Sequence, residues 1–174
     1  KEAYEIGQKL AEQILNNHLK KHGKYPKKIA YSLWSGEFIR NQGMNIGQIF
    51  YMLGVEPVRN QRGRVHDVRL IPIDELKRPR IDVLVQTSGQ FRDLAASRIY
   101  LINKAIKLAS DASDAGDYRN YVKEGTLLAE KQLKENGISP LQARTFSTVR
   151  VFGGVNGHYG TGIMGLVEKG DKWE

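Results

Sequence analysis

The stretch Arg80–Leu94, which reads RIDVLVQTSGQFRDL, decides how the rest of the chain can be organised. Ile81–Val85 is a short, almost continuous aliphatic run of the kind that a parallel strand buried on both faces requires. Thr87–Gly89 ends the run with small residues that permit a tight turn, and from Phe91 the apolar spacing becomes helical. The stretch therefore predicts a central strand, a polar turn at its carboxyl end and a helix after the turn.

The same arrangement occurs earlier in the chain. Ile29–Trp34, IAYSLW, has the character of a short buried strand, and Ser35–Glu37 follows as a polar turn. In open α/β sheets ligands bind outside the carboxyl ends of the strands, where loop amides and helix N-termini converge. We therefore expect the two polar turns to face one shared crevice.

Strand and helix patterns alternate along most of the chain. This predicts an α/β fold with an open, largely parallel sheet and helices on both faces, a Rossmann-like three-layer arrangement in a single domain, 1–174. In the helix predicted over Tyr118–Asn136, Gly125 is expected to destabilise the helix by about 1 kcal/mol relative to alanine. Four further helices are predicted: Glu2–His22, Arg92–Leu108, Tyr118–Asn136, which Pro140 prevents from continuing, and a helix that Asn41 or Asn45 caps and that ends at Leu53 with Gly54 as its αL stop. The remaining predicted strands are Val68–Ile73 and Thr148–Phe152.

Composition excludes several classes of protein. With 174 residues, of which 40% are hydrophobic and 26% charged, the chain is long enough to bury one ordinary core. It contains no apolar run near the roughly 18 residues that a transmembrane helix needs. It has no cysteine, which excludes disulfides and fits a reducing compartment, although many exported bacterial domains also lack cysteine. We expect a cytoplasmic protein, with membrane association of the full-length protein as the alternative.

The formal net charge of +8 favours acidic partners in principle. Nucleic-acid modules also interleave aromatic residues with basic ones or contain a recognisable helix-turn-helix. The sequence has neither feature, so we expect no nucleic-acid partner. The basic clusters either meet acidic groups or are solvated connections: Lys20, Lys21, Lys24, Lys27 and Lys28; Arg59, Arg62, Arg64 and Arg69; Arg78 and Arg80.

Blocks of the chain read, in order, LWSGEFIRNQGMNIGQIFYMLGVEPV, GRVHDVRLIPIDELKRPRIDVLVQTSGQFRDL, INKAIKLA, NYVKEG and RVFGGVNGHYGTGI. Their order and spacing resemble the large tetrapyrrole-binding subunit of cobaltochelatase (CobN) and the H subunit of magnesium chelatase (BchH or ChlH). PRIDV followed by SGQFRDL, downstream of a helix end YMLGV, is a long and specific match. The resemblance covers 25–174, and 1–24 is a leading helix.

The resemblance implies an internal segment excised from a much larger multidomain subunit. That subunit would hold a porphyrin or corrin ring while cobalt or magnesium enters it, which makes the whole protein a ligase that forms nitrogen–metal bonds. The isolated segment is expected to be inactive. AAA+ ATPase and companion subunits would hydrolyse the ATP, so ATP is not expected on this chain.

Two other interpretations stay open. Some relatives are thought to remove iron from heme, which uses the same pocket in the opposite direction. Alternatively, the segment is a structural module that docks other domains or subunits and never touches the ring.

Metal insertion requires loss of two pyrrolic N–H protons and stripping of water from the metal ion, so a carboxylate near the ring centre is useful as a base. Glu37, which follows the first strand, is the predicted catalytic residue. Its alternative role is to favour the N-terminus of the next helix. Trp34 would stack on the ring face, and Arg92 would pair with a ring carboxylate or with Asp93.

The remaining candidates lie in the central turn and the glycine-rich tail. Thr87, Ser88 and Gln90 are predicted to hydrogen-bond the ligand, although such polar residues are ordinary in turns. In the tail, His158 is the predicted metal ligand and Tyr159 a predicted ring contact.

Overall fold

The computed structural model describes residues 2–41 and 43–153, apart from the side chain of Glu37. The strands are β1 Lys28–Leu33, β2 Val55–Arg59, β3 Val65–Leu70, β4 Asp82–Thr87 and β5 Val151–Gly153. The helices are α1 Glu2–His22, α2 Ser35–Asn41, α3 Met44–Leu53, α4 Ile73–Leu76, α5 Gly89–Leu94, α6 Ala96–Asp111, α7 Tyr121–Glu135 and α8 Pro140–Phe146.

The main sheet has three strands in the order β1-β4-β5, and all of its pairings are parallel. β4 is therefore the central strand, as its sequence predicts. Helix α3 contacts β1 and β4, and α7 also contacts β4. The α/β fold with an open, parallel sheet is confirmed.

Burial along β4 alternates more than its aliphatic sequence suggests. Val83 and Val85 are fully buried, whereas Leu84 keeps 41% of its surface exposed and Gln86 is exposed. The expectation that β4 is buried on both faces is therefore wrong at Leu84 and Gln86. On the face that these two residues share with Asp82, α7 lies against Asp82 near the amino end of the strand, and the side chains further along stay exposed.

Two predicted boundaries differ from the structure. The helix expected over Arg92–Leu108 is two helices, α5 and α6, because Ala95 between them has the non-helical angles φ −125 and ψ 30. Pro140 does not merely prevent continuation of α7; it begins α8, where Ser139 caps the first turn. Proline at the first helical position is favourable because its missing N–H has no partner there in any case.

Strands β2 and β3 form a separate antiparallel hairpin. Its turn contains Gly63, whose φ of 74 is costly for any residue with a Cβ. Helix α6 packs on β3 and on α3, and α1 packs on α3. The hairpin is thereby held beside the helical layer rather than at an edge of the main sheet.

Buried arginines connect the hairpin and α3 to the central strand. Arg80, which is fully buried, donates to the carbonyl oxygens of Gly54 at 2.7 Å and Ile71 at 2.8 Å. Arg78 donates to the carbonyl oxygen of Tyr51 and lies over the Tyr51 ring at 4.3 Å. Both guanidinium groups thus stabilise the C-terminus of α3, where the helix dipole favours positive charge.

Candidate functional site

The carboxyl ends of the three parallel strands are aligned. Leu33 of β1 lies opposite Thr87 of β4, and Thr87 lies opposite Gly153 of β5. The described residues that follow β1 and β4 therefore lie at one edge of the sheet. We call this the crevice edge and define it by Trp34, Ser35, Thr87, Ser88 and Gln90.

The two polar turns lie side by side at the crevice edge, as the sequence predicts. The Ser35 hydroxyl donates to Oε1 of Gln90 at 2.7 Å, which joins the first turn directly to the second. The backbone N–H of Ser88 donates to the carbonyl oxygen of Leu33 at 3.3 Å. The Gln90 side chain is exposed although it accepts this bond, and its NH₂ group donates no hydrogen bond to another described residue.

The side chains of Thr87 and Ser88 are buried, with 4% and 5% of their surface exposed. Ser88 is the N-cap of α5, and its hydroxyl oxygen accepts a bond from the backbone N–H of Phe91 at 3.1 Å. The Thr87 hydroxyl donates to the carbonyl oxygen of Phe152 at 3.4 Å. Both hydroxyls therefore shape the turn and hold β5 against β4.

Gly153 has a steric reason to be glycine. A Cβ added there would lie 2.4 Å from Oγ1 of Thr87 and 2.6 Å from its carbonyl oxygen, closer than real Cβ atoms come. Close approach of backbone to backbone is one of the uses of glycine. The backbone of β5 consequently approaches the central turn at Thr87 with no side chain at position 153 between them.

Aromatic side chains line the first turn. Trp34 is 39% exposed, whereas Phe91 is fully buried and meets Phe38 edge to face at a centroid distance of 5.4 Å. The cavity that Trp34 and Phe38 share with the start of α3 has a volume of only about 10 Å³. That volume is about the room of a single water molecule, so a larger ligand does not fit inside this cavity.

The remaining predicted residues are placed to different degrees. Arg92 lies in α5, the helix that follows the central turn, and is exposed. Glu37, the last residue of the polar turn Ser35–Glu37, lies in the first turn of α2, but its side chain is outside the described part of the structure. His158 and Tyr159 also lie outside the described residues, so their roles stay predictions.

Among the residues that the structure describes, no group of three or more His, Asp or Glu side chains is placed to hold a metal ion. The crevice edge itself presents neutral groups, chiefly hydroxyls, an amide and an indole. Such a set suits hydrogen bonding and stacking rather than tight chelation.

Sequence reasoning missed a pair of arginines outside the crevice edge. Arg59 in β2 and Arg98 in α6 line one cavity together, although 39 positions separate their numbers in the sequence (98 − 59). The sequence places Arg59 in a basic cluster that either meets acidic groups or is solvated, and no motif singles out Arg98. No local pattern reports this pair, because it depends on the packing of α6 on the hairpin.

The fold defines an α/β protein in which two polar turns lie together at the carboxyl edge of a parallel sheet. The chain belongs to the CobN/Magnesium Chelatase family, whose model matches residues 1–174. An uncharacterized protein of Methanocaldococcus jannaschii is 41% identical over the whole chain, which spans 14% of that protein. The chloroplastic magnesium-chelatase subunit ChlH of Oryza sativa subsp. indica is 38% identical over 84% of the chain and 10% of that subunit.

A solved structure gives the same answer for the fold. The catalytic subunit of cobaltochelatase from Mycobacterium tuberculosis superposes with a TM-score of 0.83 and 31% identity, over 98% of this chain and 14% of that one. The chain thus spans between 10% and 14% of the length of these proteins. None of the helices within 2–41 and 43–153 is both long and apolar enough to cross a bilayer.

Proposed function

We propose that this segment forms part of the tetrapyrrole-binding cleft in the large subunit of an ATP-dependent metal chelatase, which inserts cobalt into a corrin precursor or magnesium into protoporphyrin. The observation that carries the proposal is the crevice edge within a chain of the CobN/Magnesium Chelatase family. In this proposal AAA+ ATPase and companion subunits bind and hydrolyse the ATP, and the complex works in the cytoplasm.

The crevice edge fits a flat, largely apolar ligand with polar groups at its rim. Trp34 offers a partly exposed indole face for stacking. Beside it, the exposed amide of Gln90 suits a rim hydrogen bond. Arg92, two residues further along the same turn and helix, suits a carboxylate at the ring edge, because guanidinium groups bind carboxylates bidentately.

Proton removal is assigned to Glu37. Its backbone lies in α2 two residues after Ser35, so it belongs to the first of the two joined turns. A carboxylate there would accept pyrrolic protons as the metal ion, a substrate of the reaction, enters the ring. His158 and Tyr159, which follow β5 in the sequence, are proposed as a metal contact and a ring contact.

Titration of the full-length protein with metal-free porphyrin or corrin, followed by absorbance, tests the proposal. Trp34→Ala and Arg92→Ala should each weaken ring binding by roughly tenfold, equivalent to about 1.4 kcal/mol. Arg62→Ala, an exposed arginine in the hairpin turn, is the matched control and should leave the affinity unchanged. Ring affinities of Trp34→Ala and Arg92→Ala that equal the wild-type value would contradict the proposal.

A second candidate function is docking of another part of the large subunit, or of a partner subunit, without ring contact. A groove of about 680 Å³ lies between α7, the segment after it and β5. Large apolar side chains stay exposed on and around these elements, which is typical of a surface that contacts protein. They are Leu127 at 58%, Leu128 at 57%, Leu141 at 79%, Phe146 at 51%, Val149 at 42% and Phe152 at 50%.

The two functions separate experimentally. Leu128→Gln and Phe146→Gln should impair assembly of the full-length protein with its partner subunits if this surface docks them, and Tyr100→Ser, at an equally exposed residue of α6, is the control. Ring affinity and turnover of the Glu37→Ala and Arg92→Ala variants test whether this segment contacts the ring. Unchanged ring affinity and turnover in those two variants, together with lost assembly in the apolar-surface variants, would favour the docking function.

A further inference from the structure

A second cavity lies beside the hairpin rather than at the crevice edge. Its volume is about 160 Å³, and its lining comes from α1, α2, α3, the hairpin and α6. The floor is apolar and largely aromatic, with Phe38 from α2, Phe50 from α3 and Leu101 from α6. Phe38 also borders the small cavity at the crevice edge, so the two regions adjoin.

The charge of this cavity has one sign. Arg59 and Arg98 are the charged residues of its described lining, and no carboxylate is among them. Tyr4 is the other ionisable group there, and burial raises the pKa of its hydroxyl to about 12, so the phenol stays neutral at physiological pH. Its hydroxyl donates to the carbonyl oxygen of Val55 at 3.4 Å.

Both guanidinium groups keep most of their donors unused within the described part of the chain. Nη1 of Arg59 donates to the carbonyl oxygen of Gly63 at 2.9 Å, and Nη1 of Arg98 donates to that of Val65 at 3.5 Å. Both acceptors are neutral. A guanidinium carries five N–H donors, so each arginine has donors left for an anion.

Neighbouring cations on the same elements already have acidic partners. Arg69 of the hairpin meets Glu56 at 2.6 Å, and Lys104 of α6 meets Asp67 at 2.7 Å. The two carboxylates of the hairpin, Glu56 and Asp67, are therefore already paired with cations. The contrast indicates that the positive charge beside the cavity is matched to something other than a described side chain of this chain.

We propose that this cavity binds a carboxylate carried on a short apolar stem, with the carboxylate at Arg59 and Arg98 and the stem against Phe38 and Phe50. A volume of about 160 Å³ is smaller than the roughly 300–1,000 Å³ of sites that enclose drug-sized ligands, so the cavity suits a small acid rather than a whole ring. The carboxylate comes either from a free small acid or from a side chain of the tetrapyrrole, and only the second source rests on the proposed function.

Saturation-transfer NMR on the full-length protein, with butyrate as the probe and n-butanol as its uncharged counterpart, tests the inference. Butyrate should bind at least roughly tenfold more tightly than butanol, and Arg59→Ala and Arg98→Ala should each weaken butyrate binding by a similar factor. Arg59→Lys, which keeps the charge without the bidentate fork, should retain part of the affinity. Arg62→Ala, in the same hairpin turn but outside the cavity, should not change it.

Butyrate binding that is absent in the wild type, or that Arg59→Ala and Arg98→Ala leave unchanged while both proteins keep their unfolding transition, would overturn the inference. A porphyrin with free propionates and its dimethyl ester identify the source. If Arg59→Ala weakens binding of the free-acid ring but not of the ester, the carboxylate belongs to the ring. If Arg59→Ala weakens the binding of butyrate but not of the free-acid porphyrin, a free acid is the ligand.

The same measurements separate this inference from the proposed function. Loss of ring binding in Trp34→Ala with intact butyrate binding supports both. A protein that binds butyrate through Arg59 and Arg98 but no ring at all upholds the cavity and contradicts the tetrapyrrole cleft.

Discussion

The two ends of the central strand differ in how their polar groups are used. At its amino end, Asp82 is buried and accepts from Nε of Arg150 at 2.9 Å, and Lys28 approaches it at 3.2 Å. At its carboxyl end the buried polar side chains are uncharged, and Ser35 joins Gln90 at 2.7 Å. Charge is therefore buried where the strand begins, and neutral polar groups collect where it ends.

The difference indicates which end is free to bind a ligand. A buried ion is costly unless it is paired, so charges at the amino end are committed to each other and to backbone carbonyls. Arg150, for example, also donates to the carbonyl oxygen of Ser147 at 2.6 Å and to the Thr126 hydroxyl at 3.1 Å. By contrast, the Gln90 NH₂ group and the Trp34 indole N–H donate no hydrogen bond to any residue that the structure describes, although the Gln90 amide oxygen accepts from Ser35.

The largest expected effect comes from removing the charge at the amino end. Asp82→Asn should lower the free energy of unfolding by about 3–5 kcal/mol, because it leaves the Arg150 guanidinium buried without a counter-charge. Denaturant-induced unfolding measures the loss. Glu124→Gln, which breaks the exposed pair with Arg119, is the control and should cost about 0–1 kcal/mol. Equal losses in the two variants would mean that the amino end does not depend on its buried pair.

A smaller loss is expected at Gly125, which packs against the same carboxylate. A Cβ there would lie 2.7 Å from Oδ2 of Asp82, which Lys28 holds in place. The steric cost of about 1–3 kcal/mol should exceed the helix-propensity gain of about 1 kcal/mol, so Gly125→Ala should destabilise the fold. Gly36→Ala in α2 meets nothing within 4 Å and should be neutral or stabilising in the same unfolding assay. A stabilised Gly125→Ala protein would contradict the close contact.

At the carboxyl end, the Ser88 hydroxyl tests whether the central turn depends on its cap. Ser88→Ala removes the acceptor for the Phe91 N–H and should cost about 1 kcal/mol in unfolding free energy. Ser97→Ala, at an exposed position of α6, should stay within about 0.5 kcal/mol of the wild type. If Ser88→Ala leaves stability unchanged but weakens ring binding, the hydroxyl serves the ligand rather than the turn.

The smallest effect concerns Tyr31 of β1. Its hydroxyl is buried and has no hydrogen-bond partner among the described residues, and burial raises the pKa of this phenol. Tyr31→Phe should therefore leave the unfolding free energy unchanged or raise it by up to about 1 kcal/mol. Tyr51→Phe, which removes a hydroxyl that donates to Glu12 at 2.8 Å, is the contrasting control. A clear loss of stability in Tyr31→Phe would mean that its hydroxyl has a partner in the full-length protein.

Sequence reasoning reached the elements with strong local signals. The strand-turn-helix pattern after Arg80 and the αL stop at Gly54 are both present, since short-range sterics and periodicity decide them. Sequence reasoning was less successful where tertiary contacts decide the local structure. Ala95 breaks a helix whose apolar spacing continues, and the glycine at position 125 looks like a cost although a buried carboxylate occupies the space beside it.

The candidate site divides in the same way. That the turns after β1 and β4 meet followed from the sequence, because parallel strands place their carboxyl ends together. The burial of Thr87 and Ser88 did not follow, since it depends on β5 and α5. The cavity beside Arg59 and Arg98 also required the packed structure.

The sequence by itself determined an α/β chain with a hydrophobic central strand, its order of elements and the polar character of its turns, because each depends on neighbours within a few residues. Only the tertiary structure decided which charges pair, as with Asp82 and Arg150, which lie 68 residues apart. The physical reason is that a buried ion takes whichever partner the fold brings within hydrogen-bond distance, and sequence spacing carries no record of that choice.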